Sequence, residues 1–407
     1  MTHPLIRPDD RSPVSRRSFL RVAGLSAAAL GGGGFLAACG GGTDTAAGSA
    51  SSATSAAGSS STSAATSAAT SATEVMSSAG GSMTNGGSMT PAPAGTYGDI
   101  KLQLSWIKNY EFGGEFFATE KGYYTEAGFS SVALVTGPVP SADELVATGE
   151  VEIGLSAPDA TARYLLDSGA PLKIIGSTYQ KNPFCILSLQ EGKPISTPAD
   201  LVGKNIGVQS GTNQSIFAGF LKANGLTADQ MTITPVQFDP SPLYDNQVDG
   251  FMSYVTNEPF LAKAKGFTPV TLVFADNGLP LTAETFTVLQ DTIDNDREML
   301  KAFLYAEIKG WTDSVADPAG TAKLAVTTYG ADLGLVEADQ VEQAAAQNEL
   351  IVSADTKANG IFTLTEQRQQ NIVDAIALTG YEITAAELFD LSLLDEVYAS
   401  YPDLITA

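Results

Sequence analysis

The 407-residue chain is 43% hydrophobic and 16% charged, with a formal charge of −23 and a pI near 4.3. That length is enough for two compact domains, and the acidity excludes both phosphate-neutralising nucleic-acid binding and adhesion to anionic lipid through basic residues. The only histidine is His3 and the only cysteines are Cys39 and Cys185, which leaves no imidazole base for Ser-His-Asp or Cys-His catalysis once the N-terminus is removed. The usual zinc ligands are scarce for the same reason, and no cofactor or metal is expected.

Ser15-Arg16-Arg17-Ser18-Phe19-Leu20 precedes an apolar stretch over 22–30, a glycine run at 31–34 and Leu36-Ala37-Ala38-Cys39. The apolar stretch is too short and too interrupted to span a membrane. Residues 1–38 resemble a twin-arginine export signal, and Leu36 to Cys39 resemble a lipobox, in which Cys39 is acylated and becomes the new N-terminus. A lipoprotein held at the extracytoplasmic face of the cell membrane by that anchor alone is the expectation. Residues 39–96 are almost entirely Ser, Gly, Thr and Ala, with only Asp44 and Glu74 charged. Such a segment cannot bury enough apolar surface to offset the entropy of ordering it. It reads as a disordered tether with a reach of roughly 40 Å.

The body, 97–407, reads in chain order as alternating strands and helices. Alternation predicts a strand over 100–106, then a helix over 112–123 with glycine stops at Gly122 and Gly128, and a strand over 131–135. Ser141 caps a helix to Ala147, with Glu144 in position for a capping box. A strand over 151–155 follows, then a helix opened by Pro158-Asp159 and running to about Leu166, then strands over 172–176 and 184–189. The plan repeats with a strand over 205–209, a helix over 213–223, a strand over 231–237, a helical turn near Leu243 and a strand over 250–254. The run 286–289 reads as a strand returning to the first half. Helices are expected over 294–315, from Pro318 with Asp317 as N-cap, and near 337–348, 366–378 and 384–390. Strands separated by helices imply parallel βαβ units and an α/β fold. Two lobes, the second inserted into the first, leave a ligand cleft beyond the carboxyl ends of the strands.

Leu104-Ser105-Trp106-Ile107-Lys108-Asn109-Tyr110-Glu111-Phe112, continuing to Lys121-Gly122-Tyr123-Tyr124, resembles the opening of the ABC-transporter solute-binding proteins of the nitrate, sulfonate and thiamine-pyrimidine group. Pro198 to Val208 is similar to that family's entry into its second lobe, and Val248-Asp249-Gly250 through Asn257-Glu258-Pro259 to its later ligand-contacting stretch. The similarity extends over 99–407. It implies a two-lobed, type II periplasmic-binding-protein-like fold, with lobe 1 over 97–190, lobe 2 over 191–282, and the return to lobe 1 with the C-terminal helices over 283–407. Hinges are expected near 188–192 and 281–286. The resemblance also implies a small-molecule solute, an ABC permease with its cytoplasmic ATPase as partners, and a monomer. The family's enzyme branch, a fungal-type pyrimidine synthase, uses a lysine and a histidine in the segment that here reads Gly154 to Ala160. The matching positions are Ser156 and Ala160, and no cysteine lies around 279–289, so a binder rather than an enzyme is expected.

Candidate ligand-binding residues cluster at strand ends. In Ser210-Gly211-Thr212-Asn213 the glycine admits close backbone approach, and helix N-terminal N–H groups favour an acceptor or anion; an ordinary capped loop is the alternative. Trp106, Asn109 and Phe112 offer aromatic faces and an amide suited to a flat heterocycle, although Phe112 also fits a core. Tyr110 and Glu111 lie between them, and Glu111 fits an exposed position. Ser156 and Asp159 suit a ligand or a helix cap. Tyr179, Gln180 and Asn182 precede the crossing strand. Glu258 matches a carboxylate with which pyrimidine-precursor binders of the family hold an amino group; the competing role is an ion pair with Lys263 or Lys265. Tyr254 and Asp239 complete the set, and Cys185 reads as a buried small hydrophobe. The expected ligand is a small aromatic heterocycle, a thiamine-pyrimidine precursor or flavin-like vitamin, with nitrate, sulfonate or taurine as the alternative.

Overall fold

The computed structural model describes residues 91–405. The twin-arginine signal, the lipobox with Cys39 and nearly all of the tether lie outside the described residues. Chain packing begins slightly before 97: Thr96 N–H donates to Pro93 O at 3.1 Å, and Tyr97 N–H to Gly128 O at 3.0 Å.

Ten strands form in chain order: β1 (Gly98–Gln103), β2 (Phe129–Val135), β3 (Ile153–Ser156), β4 (Leu172–Tyr179), β5 (Phe184–Leu189), β6 (Asn205–Gln209), β7 (Thr232–Val236), β8 (Gly250–Tyr254), β9 (Pro269–Val273) and β10 (Ala283–Leu289). They make two five-stranded sheets, in the orders β2-β1-β3-β10-β4 and β7-β6-β8-β5-β9. β1 runs parallel to β2 and β3, and β6 parallel to β7 and β8. One strand in each sheet runs antiparallel to its neighbours, β10 in the first and β5 in the second. These are the strands that follow the two crossings between sheets.

The sheet order corrects the expected lobe boundary. β5 belongs to the second sheet, so the outward crossing is Gln180 to Pro183 rather than 188–192, and the return lies between Val273 and Ala283. Both candidate sheets would have buried the apolar run of β5 equally, and the polar Gln190-Glu191-Gly192 beyond it imitated a boundary. The two crossings touch, Asn182 N–H donating to Leu281 O at 3.0 Å.

Helical boundaries shift for local reasons. The helix expected over 112–123 is a turn at Tyr110–Phe112, a helix Gly113–Glu120 and a separate helix Tyr123–Ala127, broken at Gly122 with φ 73°. The backbone there is left-handed, which glycine tolerates and other residues resist.

One core lies under the first sheet, where Phe286 of β10 packs edge-on against Phe303 and Phe362 at 5.6 and 5.0 Å. A second joins Ile186, Ile206, Phe217, Phe220 and Phe274 to Ile372, Val373 and Ile376 of the C-terminal helix Glu366–Thr379. It also takes in Ala162 and Ile174 from the first lobe, so that helix shares its apolar face between lobes. None of the helices among the described residues is long and apolar enough to cross a membrane.

Candidate functional site

A cavity of about 120 Å³ lies between the carboxyl ends of the two sheets, lined from the first by Ser105, Trp106, Glu111 and Glu284. Phe184, Gln209, Asn213, Phe238, Met252, Ser253, Tyr254, Asn257 and Glu258 line it from the second. Each parallel strand must end where its backbone groups lose sheet partners, and the residues just beyond those ends face the cleft. Ser105 and Trp106 follow β1, Gln209 closes β6 and Tyr254 closes β8. A wider outer chamber of about 430 Å³ adjoins it, sharing Ser105, Phe184, Asn213, Tyr254 and Glu284 and adding Ser156, Ala160, Arg163 and Tyr164.

The lobes meet around the inner cavity. Trp106 and Phe238 pack edge to face across it with ring centroids 5.1 Å apart. Tyr110 Oη donates to Thr256 O at 2.9 Å, and Gln343 Nε2 to Asn257 Oδ1 at 3.2 Å. Lys263 pairs with Glu342 at 2.6 Å, which disposes of an ion pair between Lys263 and Glu258.

Three carboxyls face this cavity, Glu111, Glu258 and Glu284 at 4, 8 and 5% exposure. None of the lining side chains is Lys, Arg or His. Glu258 opens the helix Glu258–Ala264 and folds back to accept from Tyr254 N–H at 2.8 Å. Burial pushes its carboxyl up to about 7. Glu284 receives only the Ser105 hydroxyl, 2.9 and 2.8 Å from its two oxygens. Its backbone sits at φ 53°, a left-handed conformation that costs a non-glycine residue roughly 1–3 kcal/mol. Burial and then the charges of Glu284 and Glu258 hold Glu111 well above the usual carboxylate range. An ionised carboxylate without a counter-charge is disfavoured at such sites.

Of the residues expected to bind ligand, Trp106, Asn213, Tyr254 and Glu258 line the inner cavity. Asn213 Nδ2 donates to Gln209 Oε1 at 3.0 Å. Ser156 lines the outer chamber and donates to Asp143 at 2.7 Å. The others fall elsewhere. Phe112 is a fully buried core residue and Asn109 caps its turn, accepting from Glu111 N–H at 3.0 Å. Tyr179 is buried with its hydroxyl donating to Gln347 at 2.8 Å. Asp159 is buried beside the cleft, its carboxyl pushed up to about 6 chiefly by desolvation. Ser210 and Gly211 are exposed and outside both chambers. Thr212 begins the helix Thr212–Ala223, and its side chain is not among those described. Asp239 accepts from Ser241 and borders a separate surface pocket. Cys185 is buried and free, as expected.

Glu284, Phe238 and Gln209 were not anticipated, and Glu111 is buried where exposure was admitted. The signal for Glu284 was a single acid ahead of an apolar strand; Phe238, half exposed in a loop, carries none.

A family model described as NMT1/THI5 like matches residues 109–321. The riboflavin-binding protein RibY of Chloroflexus aurantiacus is 24% identical over 234 residues, covering 56% of this chain and 66% of that protein, a little under two thirds of its length. Among solved structures, the periplasmic aliphatic sulphonate binding protein SsuA of Escherichia coli superposes with a TM-score of 0.52 at 15% identity, covering 71% of this chain and 91% of that one. The periplasmic nitrate-binding protein NrtA of Synechocystis PCC 6803 gives a TM-score of 0.54 at 14% identity, covering 76% and 91%. These two likenesses are of fold: a mixed α/β chain built on two sheets.

Proposed function

The chain belongs to the NMT1/THI5-like family, and from that premise we propose that it is the extracytoplasmic solute-binding protein of an ABC importer, closing its two lobes on a small aromatic heterocycle of the thiamine-pyrimidine or flavin type. The observation that carries the reading is the cavity between the sheets, where Trp106, Phe184, Phe238 and Tyr254 supply ring faces and Gln209, Asn213 and Asn257 supply amides. Stacking area with a few placed hydrogen-bonding groups is how a flat, polar-edged ring is held. The riboflavin-binding relative supports a heterocycle. Nitrate or sulfonate fits less well, because the cavity presents three carboxyls and no cationic side chain, and Ser210 and Gly211 lie outside it.

The enzyme alternative lacks the side chains it needs, since Ser156 and Ala160 line the outer chamber where the resemblance asks for a lysine and a histidine. Transfer to a permease would follow closure about the paired crossings. Export through the Arg16-Arg17 signal and anchoring through Cys39 belong to the same reading, supported by their sequence pattern.

Thermal unfolding of the full chain with riboflavin, 4-aminopyrimidine, nitrate and an alkanesulfonate tests it. A ligand at about a thousand times its dissociation constant stabilises the folded state by roughly 4 kcal/mol. A heterocycle should raise the unfolding temperature and Trp106→Ala should abolish most of that rise. A rise with the oxyanions alone would overturn the heterocycle.

A further inference from the structure

The inner cavity brings three buried carboxyls together with no positive charge among them. Glu111 is more than nine-tenths buried and lines the cavity, and the side chains that hydrogen-bond its carboxyl, Asn109 and Tyr110, carry no positive charge. Glu284 has one hydroxyl partner, Ser105, where an ionised carboxylate accepts several. Glu258 has the Tyr254 N–H and a long contact from Asn257 Nδ2 at 3.4 Å.

The titratable groups facing the cluster from neighbouring elements are Tyr110, Tyr179 on β4, Tyr254 on β8, Tyr244, Cys185 on β5 and Asp159. All of them are acids, neutral or negative but never positive. Arg163, the cation of the outer chamber, faces Asp143 and Asp159. The cluster's missing counter-charge is therefore not supplied by the chain around it.

We propose that the solute carries a planar amidine-type cationic head, two N–H donors side by side on a positively charged edge, which seats against Glu111 and Glu284 with Glu258 beside them and displaces a proton from the cluster. This rests on the solute-binding reading of the same cavity. Two parallel N–H groups match the two oxygens of one carboxylate. The flat face of the head lies against the Trp106 and Phe238 rings, which attract a cation. Empty, the cluster keeps its protons because ionised carboxyls are disfavoured there. On loading, a carboxylic acid loses its proton to solvent and the resulting carboxylate accepts the cation's N–H donors, so charge and atoms balance. An oxyanion would meet three carboxyls and no cationic side chain.

Calorimetric titration of the purified full chain with benzamidine, a planar amidinium, and with riboflavin, an uncharged ring system, separates the possibilities. Titrations at pH 6, 7 and 8 in two buffers of different ionisation enthalpy count the protons released. Benzamidine should bind more tightly as pH rises, by up to about tenfold per unit below neutrality, with close to one proton released. Glu284→Gln and Glu111→Gln should each flatten that dependence and weaken benzamidine by about tenfold or more at pH 8. Neither should lower the unfolding temperature, which a purely structural role would. Benzamidine that is silent or pH-independent while riboflavin binds overturns the cationic head and leaves the binding protein standing. Silence with benzamidine, riboflavin, nitrate and an alkanesulfonate alike overturns both.

Discussion

Burial without a counter-charge recurs away from the cleft, and there its consequence is for stability. Glu115 and Glu307 are fully buried in the helical layer of the first lobe, with Tyr124 hydrogen-bonded to Glu307 and both Glu115 oxygens unpartnered. Desolvation pushes Glu307 up to about 8. Because the folded-state value lies above the unfolded one, the folded protein holds the proton more tightly, and stability falls as pH rises from the ordinary carboxyl range toward 8. Glu307→Gln keeps an acceptor for Tyr124 and removes the titration. It should match the parent near pH 4 and exceed it increasingly as pH rises toward 8 in urea unfolding; equal pH dependence in the two proteins would contradict this. At this scale the site was partly legible. Trp106 follows a strand, Tyr254 ends one, and Asn213 and Glu258 stand in the first turns of helices, places whose composition marks them. Glu284 did not show, because its left-handed backbone lies inside what reads as an ordinary strand start, and Glu111 did not, because an acid beside an amide looks solvated until the second lobe covers it.

At the scale of elements, the helices Gly113–Glu120 and Arg297–Ala316 pack backbone to backbone. A Cβ on Gly310 would come within 2.2 Å of Gly114 O, and one on Gly114 within 2.1 Å of the Trp311 ring. Alanine at 310 would gain about 1 kcal/mol of helix propensity, but the backbone contact cannot yield as a flexible side chain would. Gly310→Ala should therefore be destabilised by a net 1–3 kcal/mol or so, read as a lower urea midpoint, and a higher midpoint would show that the helices part freely. Most strands and helices were legible from periodicity and glycine stops. β9 escaped because it starts at a proline and has one fully buried side chain, Leu272, so it shows little alternation. The helix Ser392–Ser400 lacks a side-chain cap at its start to announce it.

For the whole molecule, two sheets joined by a touching pair of crossings, Gln180–Pro183 and the return before Ala283, make the cleft that the proposed closure would narrow. The α/β class and inserted second lobe were legible, because alternating strands and helices leave few topologies. The crossing itself was not, since an apolar strand does not say which sheet it joins. Nor was the sharing of the helix Glu366–Thr379 between lobes, which depends on packing with residues far earlier in the chain, such as Ala162, Ile174 and Phe217. Entry of a heterocycle into the cavity between the lobes, as proposed, is read directly by the chain's two tryptophans. Trp106 lines that cavity, whereas Trp311 is buried in the first core at 1% exposure. The measurement is acrylamide quenching of tryptophan fluorescence in the full chain during titration with 4-aminopyrimidine, with nitrate and an alkanesulfonate as controls. Saturable protection of the accessible component by the heterocycle, with the buried component unchanged, is the predicted result. Protection that saturates only with the oxyanions, or an accessible component that the heterocycle never shields, would contradict it.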